Sequence, residues 1–253
     1  MPDSVLVAVP AYNAAHTVER LFARIPPDVL GSAALYAVVD DGSTDETLPA
    51  LSRVRSSLPS LVVLRHEKNR GYGAAVKTLL SHALDIGTDI VAILHADGQY
   101  SPEKLPDLLA PLKAGEADLV QGSRMLGGGA LAGGMPVYKY VANRMLTAIE
   151  NRFFGMRLAE FHSGYMLYSR RALTAIPFTR LSGSFDFDLE MLVCARILGL
   201  RIREIAIPTI YADEVSHLNP ISYGLNVLSV VGRYRRGDYH ALMNLTPRLG
   251  KER

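Results

Sequence analysis

The chain has no tryptophan and one cysteine, Cys194. One thiol excludes an internal disulfide, and its setting in the helix-like run Leu189-Glu-Met-Leu-Val-Cys-Ala-Arg196 reads as a small buried core residue. An excess of either charge is also missing. Twenty-seven Lys and Arg face 25 Asp and Glu, and the resulting +2, scattered along the chain, does not imply nucleic-acid binding. No apolar stretch reaches the roughly 20 residues that a membrane-spanning helix needs, so any membrane contact is expected to be peripheral. Met1-Pro-Asp3 runs straight into a strand without the basic and apolar regions of a secretory signal, which makes the expected location cytoplasmic.

What is present is a regular alternation. With 253 residues and 49% hydrophobic content, the chain can bury one sizeable core, and strand and helix patterns in turn predict a single α/β domain with a mostly parallel sheet. Strands are expected at 4–9, up to Asp40, at 61–65, 89–94, 119–121, 165–168 and 202–207. Helices are expected at 16–25, from Ser43-Thr-Asp-Glu46 as a capping box, at 73–84, from Ser101-Pro-Glu103, at 137–154 and at about 188–198. Residues 122–136, with six glycines, read as a long mobile loop.

Two strands end in carboxylates: Tyr36-Ala-Val-Val-Asp-Asp41 and Ile90-Val-Ala-Ile-Leu-His-Ala-Asp97. In an open α/β sheet, ligands bind outside the carboxyl ends of the strands, so Asp40, Asp41 and Asp97 are expected in one cleft. The adjacent Asp40 and Asp41 suit hydrogen bonds from a ring N–H or ribose hydroxyls. Asp97 and Gln99 offer oxygen ligands to Mg2+ or Mn2+ bridging a diphosphate. Pro10, Tyr12 and Asn13 at the end of the first strand supply a strand stop, a stacking surface and an amide for a nucleobase. Arg124, after the fifth strand, can make a bidentate contact to phosphate.

Taken in order, Pro10-Ala-Tyr-Asn13, Val39-Asp-Asp-Gly-Ser-Thr-Asp45, Asn69-Arg-Gly-Tyr-Gly73, His95-Ala-Asp-Gly-Gln99, Gly122-Ser-Arg124 and Ser163-Gly-Tyr165 resemble family 2 glycosyltransferases of the GT-A, Rossmann-like fold. Within them the chain is most similar to the dolichyl-phosphate mannose synthase and polyprenyl-phosphate sugar transferase branch. The resemblance spans roughly residues 4–210. It implies inverting transfer of a hexose from a nucleotide-diphosphate sugar of GDP-mannose or UDP-glucose type, with Asp40, Asp41 and Gly71 at the donor, Asp97 and Gln99 at the metal, and Arg124 near the phosphates. A catalytic domain is expected at 1–215 and a helical extension, for membrane-surface or dimer contact, at 216–253. Several positions depart from the family pattern. His95 stands where an acid is usual, and an imidazole can still bind Mn2+. Ala14 replaces a glutamate, His162 an acid, Glu214 an arginine and His217 a lysine.

Two acceptors remain open. A lipid phosphate is already ionised and needs no general base, whereas a hydroxyl needs a carboxylate, for which Asp186, Asp188 and Glu190 are the candidates, Asp188 foremost. The stretch Ile221 to Arg236, apolar and then arginine-rich, suits either an interfacial helix at a membrane carrying polyprenyl phosphate or a core or homodimer helix. Two other classes stand beside these. A sugar nucleotidyltransferase would carry a Gly-X-Gly-X-Arg loop near the N-terminus, which is missing, and a non-catalytic nucleotide-sugar-binding protein is compatible with His95.

Overall fold

The structure, a computed structural model, describes residues 3–26, 29, 34–209 and 220–244. Glu214 and His217 lie outside the described residues. Seven strands, β1 (Val5–Ala11), β2 (Ala34–Asp40), β3 (Leu61–Arg65), β4 (Ile90–Ile93), β5 (Leu119–Ser123), β6 (Met166–Ser169) and β7 (Ile202–Ala206), form one sheet in the order β3-β2-β1-β4-β6-β5-β7. All pairs are parallel except those of β6, which runs antiparallel to both β4 and β5. That reversal positions the site. An antiparallel strand begins where its parallel neighbours end, so residues 160–165, leading into β6, lie at the carboxyl ends of β4 and β5.

Alternate strand residues feed two apolar layers, one on each face of the sheet. Val5, Val7, Val9, Tyr36 and Val38 pack toward α1 (Val18–Ala23), α2 (Thr47–Ser57) and α4 (Leu105–Lys113). Leu6, Ala8, Ala37, Val39, Val91 and Ile93 pack toward α3 (Tyr72–Asp85), α6 (Arg170–Ala175) and α7 (Phe187–Ile197). The same layer takes in Phe154 of α5 (Val137–Phe154), Val227, Val230 and Val231 of α8 (Pro220–Arg236) and Tyr239 of α9 (Asp238–Leu242). Helix α8 thus contributes to the core. Cys194 is fully buried there, and burial pushes its thiol up to about 12.

Three local expectations change. Pro10 does not end β1. Ala8 carbonyl accepts from Leu94 N–H on the β4 side and Ala11 carbonyl from Asp41 N–H on the β2 side, so Pro10 faces β4 beyond its last paired residue, Ile93, and its missing N–H costs no ladder bond. Ser43 does not cap α2, which starts at Thr47, whereas Asp45 does support its first turn, Oδ1 accepting from Thr47 N–H at 3.0 Å. Both residues tie the loops after β1 and β2 together: Ser43 Oγ accepts from Asn13 N–H at 2.9 Å and Asp45 Oδ2 from Ala15 N–H at 3.1 Å. The glycine-rich segment before α5 is pinned, because Met125, Ala130 and Met135 bury one another against Tyr140 and Ala159.

Candidate active site

The loops after β1, β2 and β4 meet at one edge of the sheet. After β1, Tyr12 is about half exposed and Asn13 takes a positive φ of 50°, a conformation asparagine tolerates better than most residues. The Asn13 carboxamide oxygen accepts from Thr44 N–H at 2.9 Å, which fixes the β1 loop against the β2 loop.

The two aspartates after β2 have different surroundings. Asp41 is saturated by the protein: its carboxylate meets His66 Nδ1 at 2.5 Å and accepts from the backbone N–H of Arg70 at 3.0 Å and of Gly71 at 2.9 Å. These contacts shape the turn into α3, where Gly71 has φ +91° and a β-carbon would sit 2.9 Å from the Gly183 carbonyl. Only glycine suits that position. Asp40, fully buried, accepts from Ser43 N–H through Oδ1, while its Oδ2 makes no hydrogen bond and lies 3.5 Å from Arg65 Nε. A buried carboxylate oxygen without a donor is costly unless a partner arrives.

After β4, Asp97 is exposed and turns its Oδ1 to Gln99 N–H at 3.0 Å. His95 turns the other way. Its ring stands edge-on to Tyr100 and tilted on Tyr72, and its Nε2 lies 3.2 Å from both the Gly164 carbonyl and the Tyr72 hydroxyl. A carbonyl only accepts, so Nε2 carries the proton and is closed to a metal ion. Burial holds this imidazole below its ordinary value against the pull of Asp97, which keeps it neutral. At Gly164 a β-carbon would fall 2.6 Å from His95 Nε2, so this contact requires the glycine. Among the described residues, no group of three or more His, Cys, Asp or Glu could hold a metal. The donor set still fits a hard divalent cation, because Mg2+ commonly takes one or two protein carboxylates and fills its shell with phosphate and water.

The Tyr72 hydroxyl continues the chain inward to Asp188 Oδ2 at 2.8 Å, and Tyr168 donates to the other carboxylate oxygen at 3.3 Å. Burial pushes Asp188 up to about 7, and the two tyrosine bonds pull it partly back. The neighbouring acids are also committed. Asp186 accepts from Ser182 Oγ, and Glu190 accepts from Tyr239 Oη at 2.7 Å and pairs with Arg233 of α8.

Arg124 follows β5, and its backbone N–H donates to Glu160 Oε2 at 2.9 Å. Its guanidinium forks onto the same fully buried carboxylate and onto the His162 carbonyl at 2.7 Å. Asn143 adds a further bond to Glu160 at 3.0 Å, and His162 Nε2 lies 3.1 Å from buried Glu150. Pro10, Tyr12, Asn13, Asp40, Asp41, Gly71, Asp97 and Gln99 therefore share one edge, with His95 and Asp188 beneath it. Arg124 is tied to the loop that precedes β6. Sequence reasoning missed Tyr72, His66 and Glu160. Tyr72 sat inside a motif already singled out, whereas Glu160 and Arg124 are 36 residues apart and nothing local links them.

This is the architecture of a nucleotide-binding α/β enzyme with its cleft at the carboxyl ends of parallel strands. The Glycosyl transferase family 2 model matches residues 6–176, and the chain belongs to that family and is a glycosyltransferase. It is similar to the undecaprenyl-phosphate mannosyltransferase of Micrococcus luteus, 29% identical over 247 residues, 97% of this chain and 99% of the relative. It is also similar to the polyprenol monophosphomannose synthase of Mycolicibacterium smegmatis, 28% identical over 207 residues, 80% and 76% of the two chains. Among solved structures, glucosyl-3-phosphoglycerate synthase from Mycobacterium tuberculosis, in complex with Mn2+, UDP and phosphoglyceric acid, superimposes with a TM-score of 0.63 at 21% identity. That match covers 97% of this chain and 80% of the other, and it establishes the GT-A fold.

Proposed function

We propose that this enzyme transfers a hexose, with inversion, from a nucleoside-diphosphate sugar to polyprenyl phosphate. The observation that carries the acceptor reading is the state of the three acids at 186–190. Asp186, Asp188 and Glu190 are all buried and bonded to protein partners, so none is presented as a base for a hydroxyl. A phosphate acceptor is already ionised and needs none. The lipid-phosphate sugar transferases among the relatives support the same choice.

On the donor side, Tyr12, Asn13 and Pro10 form the wall above Asp40, whose Oδ2, buried 3.5 Å from Arg65 Nε, accepts from a base N–H or ribose hydroxyl once the side chains above it move aside for the donor. Asp41 acts indirectly by shaping the Gly71 turn, which opens α3 toward the cleft with the partial positive charge that favours a diphosphate. Asp97, with Gln99 beside it, holds Mg2+ or Mn2+, which when bound offsets the charge on the departing nucleoside diphosphate. Arg124 and Asp188 are positioning residues in this reading: one fixes the 160–163 segment, the other the Tyr72 and His95 pair.

No helix among the described residues is long and apolar enough to cross a membrane. Val137, Tyr138, Val141 and Met145 of α5 and Leu225 and Leu228 of the adjoining α8 are nonetheless exposed, which supports peripheral contact with a bilayer.

The deciding assay offers GDP-mannose or UDP-glucose with Mn2+ and either a short-chain polyprenyl phosphate or soluble hydroxyl acceptors. Sugar transfer to the phosphate that survives Asp188→Asn is the expected result. Transfer to a hydroxyl acceptor that Asp188→Asn or Asp186→Asn abolishes would replace the acceptor reading, and nucleotide-sugar binding without turnover on any acceptor would replace the catalytic one.

A further inference from the structure

A second recess opens beside α3, next to the Gly71 turn, and shares no lining residue with the loops after β1 and β4. Its volume is about 680 Å³, and one wall is the half-exposed stripe of α3 that carries Lys77, Thr78, Ser81 and His82. These residues recur at the three- and four-residue spacing of one helix face, while Ala75, Val76, Leu79 and Leu80 on the opposite face are buried against the sheet. Arg70 closes one end, Thr179 and Gly183 form the facing wall, and Asp85 is the one carboxylate in the lining. Arg70, Lys77 and His82 with the hydroxyls of Ser81 and Thr179 outnumber the one acid and favour an anion, with Lys77 Nζ already donating to the Leu181 carbonyl and the Thr78 hydroxyl to the Ala74 carbonyl. The volume exceeds what a single phosphate fills and suits a small molecule carrying more than one phosphate or carboxylate.

We propose that this recess is a second anion site, for a small multiply charged phosphorylated or carboxylated metabolite, and that its occupancy is linked to donor binding through Arg70 and Thr78. The link is a continuous set of contacts. Thr78 Oγ1 lies 2.9 Å from His66 Nε2, His66 Nδ1 lies 2.5 Å from Asp41, and Asp41 holds the backbone N–H of Arg70, whose side chain lines the recess. An anion that draws in Arg70 acts on the turn that Asp41 shapes, an anion packed against Thr78 acts on His66, and a donor in the cleft acts back on the recess by the same coupling. The binding half of this proposal is independent of the donor reading, and the linkage half rests on it.

The test is isothermal titration of the full chain with tricarballylate, and separately with inorganic phosphate, with and without saturating UDP and Mn2+. Saturable tricarballylate binding that persists under saturating UDP is expected, with phosphate weaker. Arg70→Gln and His82→Gln should each weaken tricarballylate by about tenfold, the loss of one charge-assisted hydrogen bond. Ser81→Met, which fills the recess and removes no charge, should abolish it. Absence of saturable heat, displacement by UDP, or binding indifferent to both His82→Gln and Ser81→Met overturns the site. A UDP affinity unchanged by saturating tricarballylate overturns the linkage. If UDP itself fails to bind, the donor reading fails, while the ranking of the variants still decides the recess.

Discussion

The Tyr72 hydroxyl donates to Asp188 at 2.8 Å and lies 3.2 Å from His95 Nε2, so one phenol bridges the buried acid of α7 and the histidine of the β4 loop. The three side chains come from separate parts of the chain and meet only because α3 and α7 pack on the same face of the sheet. The bridge has a measurable electrostatic signature.

Burial raises Asp188 from 3.8 to about 7, so the folded state holds this proton more tightly than the unfolded chain does. The sign follows from linkage. The contribution of this group to stability is fully present below about pH 4, declines as pH rises toward 7, and is flat above. Asp188→Asn removes the titration. Between pH 5 and pH 8 the variant should therefore gain about 2 to 3 kcal/mol relative to the parent. Urea denaturation at the two pH values measures this difference. A gap that does not move with pH would mean that Asp188 is not titrating in the folded protein.

Arg124 and Glu160 form the second buried pair. Arg124→Ala leaves the fully buried Glu160 carboxylate with Asn143 and the backbone N–H of residue 124 but without its cation, which should destabilise the fold by about 3 to 5 kcal/mol. The double variant Arg124→Met with Glu160→Leu removes both charges and should recover most of that loss. Thermal unfolding of the three proteins distinguishes this from a role confined to phosphate binding, in which Arg124→Ala would weaken nucleotide affinity and leave Tm in place.

The sheet was legible in the sequence because each buried strand is a short apolar run, and the runs over Val5–Val9 and Ile90–Ile93 need no tertiary information to be seen. The carboxylates after β2 and β4 were legible for the same reason, since they follow directly on those runs. What was not legible depends on distant partners. Asp40 and Asp41 are chemically identical in sequence, yet only Asp41 is consumed by His66, Arg70 and Gly71. His95 reads as a metal ligand until the Gly164 carbonyl, 69 residues away, accepts the hydrogen bond of its Nε2–H. The commitment of α8 to the core likewise rests on distant partners, with Val227, Val230 and Val231 packed into the layer that holds α7 and Arg233 paired with Glu190.

The two donor-side acids separate by their dependence on metal. Asp97→Ala should remove the Mn2+-linked part of UDP or GDP affinity and leave metal-free binding and Tm nearly unchanged, because the side chain is exposed and its one hydrogen bond, from Gln99 N–H, is local. Asp40→Asn should weaken nucleotide binding about tenfold with or without metal, the scale of a hydrogen bond to a charged group. Calorimetric titrations in Mn2+ and in EDTA resolve the two. An Asp97→Ala protein that keeps its metal-linked affinity would remove Asp97 from the metal site.

The exposed apolar face makes the last prediction. Tyr138, Val141 and Met145 of α5 stand 66%, 47% and 63% exposed, and Leu225 of α8 is 63% exposed, so four large side chains project where packing would normally bury them. Arg235, stacked over Phe153 at 5.4 Å, places a guanidinium beside the face, as expected where a surface meets anionic headgroups. Val141→Glu with Met145→Glu removes apolar area and adds repulsion without touching the cleft. Binding to phosphatidylglycerol vesicles should fall by about tenfold or more, since each buried aliphatic side chain is worth about 1.5 to 3 kcal/mol. Transfer to a water-soluble short-chain polyprenyl phosphate should be unchanged. If the parent ignores vesicles but shifts to a dimer with concentration in sedimentation, and the double variant stays monomeric, the face joins two copies of this chain and the membrane contact must lie elsewhere.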